Sequence, residues 1–433
     1  MSKKFPNILF FGIDSLRRDR MSLYGYPKLT TPHIDAFLSE DSIVFDNMFS
    51  PSIPTTPGYA SMLSGKDCFG TNVVALRHEG GYLPDMKTLP QVLEENGYNT
   101  TCVNYGGFPG FGNYLNYPIT WGSFGEGRSA KAESLNSVAV PELERLAAED
   151  KPFMLFLRHM DPHSPYLPPE PFERMFYAGN ENDPNNHSLD PVYDFLPFRD
   201  YFCSWFPPKC TDAEYICAQY DGAIAYMDAA ISIITNKLEA LGIADDTIVV
   251  FTSDHGDMCA SHSMLDKHYV LYDDIIRIPL VAKIPGAKPR VSHEFVMNCL
   301  DIPASIRKWA GLAGEPMRHG RPLPETAEEE PGAADVLVTS NGQQFGLYTT
   351  RALRTRTHKY VWNLTDVDEL YDLTLDPGEK HNRIADPAYA ELLKAMRERL
   401  YERLIETGDR FAGSQWMKRQ LLEGRKHVPV ERI

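Results

Sequence analysis

A chain of 433 residues with 43% hydrophobic and 24% charged side chains carries enough apolar material for a substantial core, as two or three domains or one large α/β domain with an appendage. Its formal charge of −16 excludes a general nucleic-acid binder, while leaving room for a local basic pocket that holds a small anionic substrate. Met1-Ser2-Lys3-Lys4-Phe5-Pro6 lacks an apolar signal region, and seven cysteines without a CxxC pair read as reduced thiols, so a cytoplasmic protein with no membrane partner is expected.

The first element, Asn7 to Ile13, is a continuous apolar run ended by Asp14, too short for a bilayer and suited to a buried central strand. A helix over Pro32 to Leu38 and a strand over Ser42 to Phe45 follow. Ser52 to Lys66 then places hydroxyls at the mouth of a short helix, with Pro57 in its first turn and Gly65 at its end. Thr55 or Thr56 either caps that helix or presents its oxygen where backbone N–H groups and the positive dipole end favour an oxyanion. Next come a helix over Thr88 to Asn96, a strand over Asn99 to Val103, a helix over Val138 to Glu149 and a strand over Pro152 to Arg158. The stretch 170–210 is rich in Pro, Asn, Asp and aromatics and reads as an excursion over the site. Its aromatics, among them Tyr177, Tyr193, Trp205 and Phe206, suit either a substrate pocket or the core.

A helix over Asp212 to Leu241 leads to a second apolar run, Thr247 to Thr252, ended by Ser253-Asp254-His255-Gly256. A strand over Ile278 to Ile284 and a helix over Ile302 to Ala310 complete a doubly wound, mostly parallel α/β core spanning 1–320. After the loop Gly311 to Gly332, a smaller C-terminal α+β subdomain at 333–412 is expected. It holds antiparallel strands over Val336 to Val338, Gly346 to Arg351 and His358 to Asn363, and a long helix over Tyr389 to Thr407 that offers a homo-oligomer contact. Residues 413–433 read as a tail.

Ligand sites of open α/β sheets lie beyond the carboxyl ends of the strands, so Asp14, Asp254 and His255 converge on one crevice. With Thr55 as a fourth oxygen they suit one divalent ion, which would also activate the threonine hydroxyl. Singly, Asp14 also fits a helix cap and Ser-Asp-His-Gly a polar turn; their shared place at strand ends favours a site. His163, in Asp161-Pro162-His163-Ser164-Pro165-Tyr166, stands at another strand end, placed to protonate a leaving oxygen. Lys66, Lys267 and His268 are candidates to hold the oxygens of a tetrahedral anion, or are solvated side chains.

These pieces in this order resemble the sulfatase family of the alkaline phosphatase superfamily. The matches are Asp14 with Arg17-Arg18-Asp19, Thr30-Thr31-Pro32-His33-Ile34-Asp35, Leu63-Ser64-Gly65-Lys66, Gly97-Tyr98-Asn99-Thr100, Asp161-Pro162-His163, Ser253-Asp254-His255-Gly256, Lys267 and Arg277-Ile278-Pro279-Leu280. Lys359-Tyr360-Val361 and Glu369-Leu370-Tyr371-Asp372-Leu373 through Glu379 resemble the family's closing subdomain. The resemblance implies an alkaline-phosphatase-like fold and hydrolysis of anionic esters.

The departures carry more information. The family pattern Cys-x-Pro-Ser-Arg supplies a formylglycine, whereas Thr55 bears a methyl group on its β-carbon and cannot become that aldehyde. Tyr59 stands at the pattern's arginine, Asp14-Ser15 replaces paired aspartates, and Asn104-Tyr105-Gly106-Gly107 replaces Gly-Lys-x-His. The branch of phosphonate monoester hydrolases and phosphodiesterases is similar in these respects. The resemblance therefore implies a metal-dependent hydrolase of phosphodiesters or phosphonate monoesters with Thr55 as nucleophile, one ion of Mn, Zn or Ca, His163 or His268 as acid, and Asn104 and Tyr105 near the substrate. The alternatives are a sulfatase acting without formylglycine and a catalytically silent anion-binding member. A membrane-anchored transferase is disfavoured because the anchor of such relatives is missing.

Overall fold

The computed structural model describes residues 5–424 apart from 40, 77–81, 84, 105–111, 118–130, 268, 313–320, 327–328, 330–332 and 342–348. Its strands are β1 (Asn7–Ile13), β2 (Ser42–Phe49), β3 (Ser52–Ile53), β4 (Asn99–Asn104), β5 (Asn113–Asn116), β6 (Phe153–His159), β7 (Thr247–Ser253), β8 (Arg277–Lys283), β9 (Arg290–Met297), β10 (Asp335–Ser340), β11 (Thr350–Thr355), β12 (His358–Asn363) and β13 (Glu369–Asp372). The helices are α1 (Pro32–Ser39), α2 (Thr55–Ser64), α3 (Cys68–Thr71), α4 (Leu89–Glu95), α5 (Lys131–Ala147), α6 (Asp190–Asp194), α7 (Leu196–Phe202), α8 (Ala213–Ala240), α9 (Asp273–Ile276), α10 (Asn298–Trp309), α11 (Ala390–Thr407) and α12 (Gln415–Glu423).

Eight strands form the large sheet in the order β5-β4-β6-β1-β7-β8-β2-β9, parallel except for β8, which runs antiparallel to β7 and β2. β1, β6 and β7 are buried along their whole length, because helices cover both faces; this is why their sequences are unbroken apolar runs. Side-chain alternation splits β1 between two cores: Leu9, Phe11 and Ile13 pack with α1, α5 and α8, while Ile8 and Phe10 pack with α2, α4 and α10. The expected doubly wound sheet is thus observed.

The second sheet has the order β13-β12-β11-β10-β3, so its last strand belongs to the residues just before α2. Thr339 and Ser340 pair with Ser52 and Ile53 in parallel. One face of this sheet packs against Met396, Leu400 and Leu404 of α11 and Leu421 of α12; the other meets Phe49, Ile275 and Met297 of the core.

Several boundaries differ from expectation. The helix expected over Val138 to Glu149 begins at Lys131 and accommodates Pro141 within it. The strand expected from Gly346 starts at Thr350, with 342–348 outside the described residues. The stretch expected as a tail contains α12. In the excursion, Tyr177, Tyr193, Trp205 and Phe206 pack against the core, with Trp205 set edge-on against Tyr166 at 5.1 Å, so the packing reading holds for them. Among the described residues no helix is long and apolar enough to cross a membrane, and Cys68, Cys102, Cys203, Cys210, Cys217 and Cys259 are free thiols.

Candidate active site

β1 and β7 are paired in register with Ile13 opposite Ser253, so Asp14 and Asp254 leave neighbouring strands side by side. The Asp14 N–H donates to the His159 carbonyl at 2.9 Å, fixing the exit of β1 against β6. Ser15, held at a positive φ of 66°, donates its N–H to Asp254 Oδ1 at 3.1 Å and its hydroxyl to Asp14 Oδ1 at 2.9 Å. Asp14, Asp254 and His255 are each fully buried, and one ligand atom of each lies within 4.8 Å of the others.

Two details bear on whether this set fits a cation. The His255 Nδ1 hydrogen bond to the Gly256 carbonyl, 2.8 Å, places the ring proton on Nδ1 and leaves the lone pair on Nε2. Asp254 Oδ2 is buried, has no hydrogen-bond partner, and lies 3.2 Å from that Nε2. The Asp254 oxygen that lacks a donor faces the acceptor nitrogen of His255, with no proton or metal between them, so the donor set fits one divalent ion. Titration agrees. Burial, then the charge of Asp14, raises the Asp254 carboxyl well above the ordinary range. Burial also pushes Asp14 upward, but His163, Arg158, His255 and Lys267 outweigh it and hold that carboxyl low. Burial lowers His255 to about 3, so its imidazole is neutral and available as a ligand.

Thr55 opens α2, whose ten residues are all buried and whose C-terminus closes on Gly65 at φ 73°. The preceding residue, Pro54, occupies the N-cap, and no side-chain cap bond forms there. The capping alternative for Thr55 is therefore overturned: its Oγ instead lies 3.0 Å from His255 Nε2. Gly58 belongs to the same turn, where a Cβ would stand 3.4 Å from the Cβ of Asp254, so α2 approaches the end of β7 closely.

Lys267 is buried, with Nζ 3.2 Å from Asp266 Oδ1; desolvation opposes its charge, but Asp266, Asp257, Asp14 and Asp254 prevail and raise its pKa. His163 donates through Nδ1 to the Ser164 carbonyl at 2.6 Å, and desolvation followed by Lys267 lowers its pKa to about 3. Lys131 fixes this loop by donating to the His163 carbonyl at 2.8 Å and pairing with Asp161 at 3.1 Å. Asn104 ends β4 fully buried, its Oδ1 accepting from Arg158 at 3.3 Å.

Lys66 does not join this group. It lies beyond the opposite end of α2, about 16 Å along the helix from Thr55, and its stem packs where Gly70 leaves space. Tyr105 and His268 lie outside the described residues.

Sequence reasoning overlooked Arg158. It stands opposite Gly12 near the end of β6, so it shares the α2 face of the sheet, and its guanidinium donates to Asp14 Oδ2 at 2.6 Å. The carbon of that guanidinium is 4.7 Å above the centre of the Tyr59 ring, and the Tyr59 hydroxyl donates to the Gly12 carbonyl at 3.1 Å. The signal was present: a charged residue closes the apolar run Phe153 to Leu157, as Asp14 closes β1.

The sulfatase family model matches residues 6–312, and a model for the C-terminal part of N-sulphoglucosamine sulphohydrolase matches 260–406. The ulvan-active sulfatase of Formosa agariphila is 25% identical over 94% of this chain and 82% of its own length. Human N-sulphoglucosamine sulphohydrolase is 26% identical over 89% and 87%. Among solved structures, the phosphonate monoester hydrolase of Agrobacterium radiobacter superposes with a TM-score of 0.78 at 23% identity, covering 93% of this chain and 96% of that one. A 2-O GAG sulfatase gives 0.78 at 22% identity, covering 95% and 94%.

Proposed function

Because the chain belongs to the sulfatase family and is an ester hydrolase of that family, we propose that it cleaves phosphodiesters or phosphonate monoesters through a covalent threonyl intermediate. The observation that carries this reading is Thr55 Oγ, 3.0 Å from His255 Nε2 beside two buried carboxylates, in the place where formylglycine chemistry would need a residue able to become an aldehyde.

Asp14, Asp254, His255 and Thr55 would hold one divalent ion, which when bound supplies Lewis acidity that lowers the hydroxyl pKa and offsets the anion's charge. A nitrogen ligand and Ser15 in place of a second adjacent carboxylate favour Mn or Zn, with Ca as the harder alternative. Thr55 Oγ attacks phosphorus in line; the new O–P bond forms as the bond to the leaving oxygen breaks, and that oxygen departs with the electron pair. His163 protonates it. Its ring starts neutral with the proton on Nδ1, and an anion bound alongside favours its taking up, through solvent, the proton that the Thr55 hydroxyl releases, which it then passes to the leaving oxygen. Lys267 holds the non-bridging oxygens, and Asn104, with Tyr105 and His268, contacts substrate. Water then attacks phosphorus, breaks its bond to Oγ, and returns the hydroxyl.

Direct hydrolysis of the intermediate is the reason for preferring phosphorus. A formylglycine ester escapes by elimination from its hydrated carbon, whereas a threonyl ester has only displacement by water. The test is a parallel assay of metal-loaded protein on aryl phosphodiester, aryl phosphonate and aryl sulfate. We expect the phosphorus esters to turn over faster, Thr55→Ala to lose at least about a thousandfold in kcat, and Thr55→Ser to retain measurable turnover. Full activity in Thr55→Ala overturns the nucleophile. The relatives named as sulfatases support a second reading, a sulfatase working without formylglycine, which a higher kcat/KM on aryl sulfate would establish. Metal and anion binding without turnover would mark a silent member.

A further inference from the structure

We propose that Arg158 is an anion-binding catalytic residue, a guanidinium carried to the crevice by β6 and supported on the ring of Tyr59, which takes an oxygen of the bound tetrahedral group. Three observations carry it. Arg158 is only 8% exposed, yet its guanidinium donates to Asp14 at one end and to Asn104 at the other, so it spans from the carboxylate at the end of β1 to the end of β4. Its Nε is buried with no acceptor among the described residues, a cost that a ligand oxygen would remove. The planar face rests on Tyr59, and Tyr59 is itself fastened to Gly12, where an added Cβ would come within 3.1 Å of the Tyr59 ring.

The placement also explains a departure in the sequence. Tyr59 stands on α2 where the sulfatase pattern has arginine, which suggests a crevice short of one cation. Arg158 restores that cation from a different element, reaching across the tyrosine that replaced it. A planar fork suits two oxygens of a tetrahedral group better than a lysine would.

This inference rests on the reading of the crevice as the site of the tetrahedral ester group, but not on the choice between phosphorus and sulfur. The test is calorimetric binding of inorganic phosphate and, separately, inorganic sulfate to metal-loaded protein, with metal content measured on every sample. Arg158→Gln should weaken the preferred anion about 10- to 100-fold while keeping its metal, and Arg158→Lys should fall between Gln and the wild type. The double variant Tyr59→Arg with Arg158→Ser should recover part of the affinity, because it returns a guanidinium from α2. Unchanged anion binding in Arg158→Gln overturns the proposal. So does lost metal in Arg158→Gln, since the residue would then act by positioning Asp14. If Arg158→Gln does not fold, Arg158→Lys and the double variant decide by the same criteria. Wild-type protein that binds sulfate alone, with the predicted Arg158 effect, supports the arginine and counts against the phosphorus reading; binding of neither anion overturns both.

Discussion

Asp254 holds a buried carboxylate next to Asp14 with one oxygen unpartnered, an arrangement that destabilises the metal-free protein and favours the loaded one. Asp254→Asn separates the two effects. Metal affinity should fall at least about 100-fold, and the rise in Tm that metal gives the wild type should disappear. The Tm of the metal-free variant should equal or exceed that of the metal-free wild type, because a repelled charge has been removed; a large drop would show that Asp254 is structural. Asp14, Asp254 and His255 were legible in the sequence because each follows an apolar run that could only be a central strand. Arg158 follows the apolar run Phe153 to Leu157 in the same way, but it lies within β6, one residue before the strand ends, rather than beyond it. The place of Thr55 beside His255 was legible only from the order of the motifs, because a threonine at a helix mouth taken alone serves equally as a cap.

Among the elements, the buried strands and long amphipathic helices followed from their periods, because burial on two faces or one stripe leaves a clear pattern. β9, β13 and β5 did not. Among the described residues β9 pairs with β2 alone, at the edge of the large sheet, and mixes exposed and buried positions over Arg290–Met297, so it lacks a continuous apolar run. Lys66 was misplaced for a related reason: closeness in sequence to Thr55 means little once a straight ten-residue helix intervenes. Close packing between elements gives a prediction of its own. Gly222 of α8 faces the Phe172–Arg174 turn of the excursion, where a Cβ would fall 2.4 Å from the Phe172 carbonyl oxygen. Gly222→Ala should therefore push that turn off α8, cost about 1–3 kcal/mol in denaturant unfolding, and increase proteolysis within 170–210. Unchanged stability and cleavage would show that the excursion is not anchored at this glycine.

For the whole molecule, a buried charge cluster joins the second sheet to the core. Lys359 of β12 pairs with Asp273 at 2.7 Å and Glu379 at 2.6 Å and donates to the Leu271 carbonyl at 3.0 Å. Lys359→Met leaves Glu379 buried without its partner, while Asp273 keeps Arg354 at 2.9 Å, and should cost about 3–5 kcal/mol; adding Glu379→Gln should recover part of it, as a double-mutant cycle in urea would show. Additive losses would argue against a shared network. The division into a large unit and a smaller closing one was readable from chain order, but not the strand that crosses between them. β3, immediately before Pro54 and Thr55, finds its partner in Thr339 and Ser340, 287 residues later. On a ribosome adding about 5–20 residues per second, the strand that leads into the helix of Thr55 waits roughly 15 to 60 s before its pairing partner exists. A nascent chain released early would carry Asp14, Thr55, Asp254 and His255 yet lack the strand that pairs with the entry to α2, so esterase activity should emerge late in synthesis, only when β10 has left the exit tunnel.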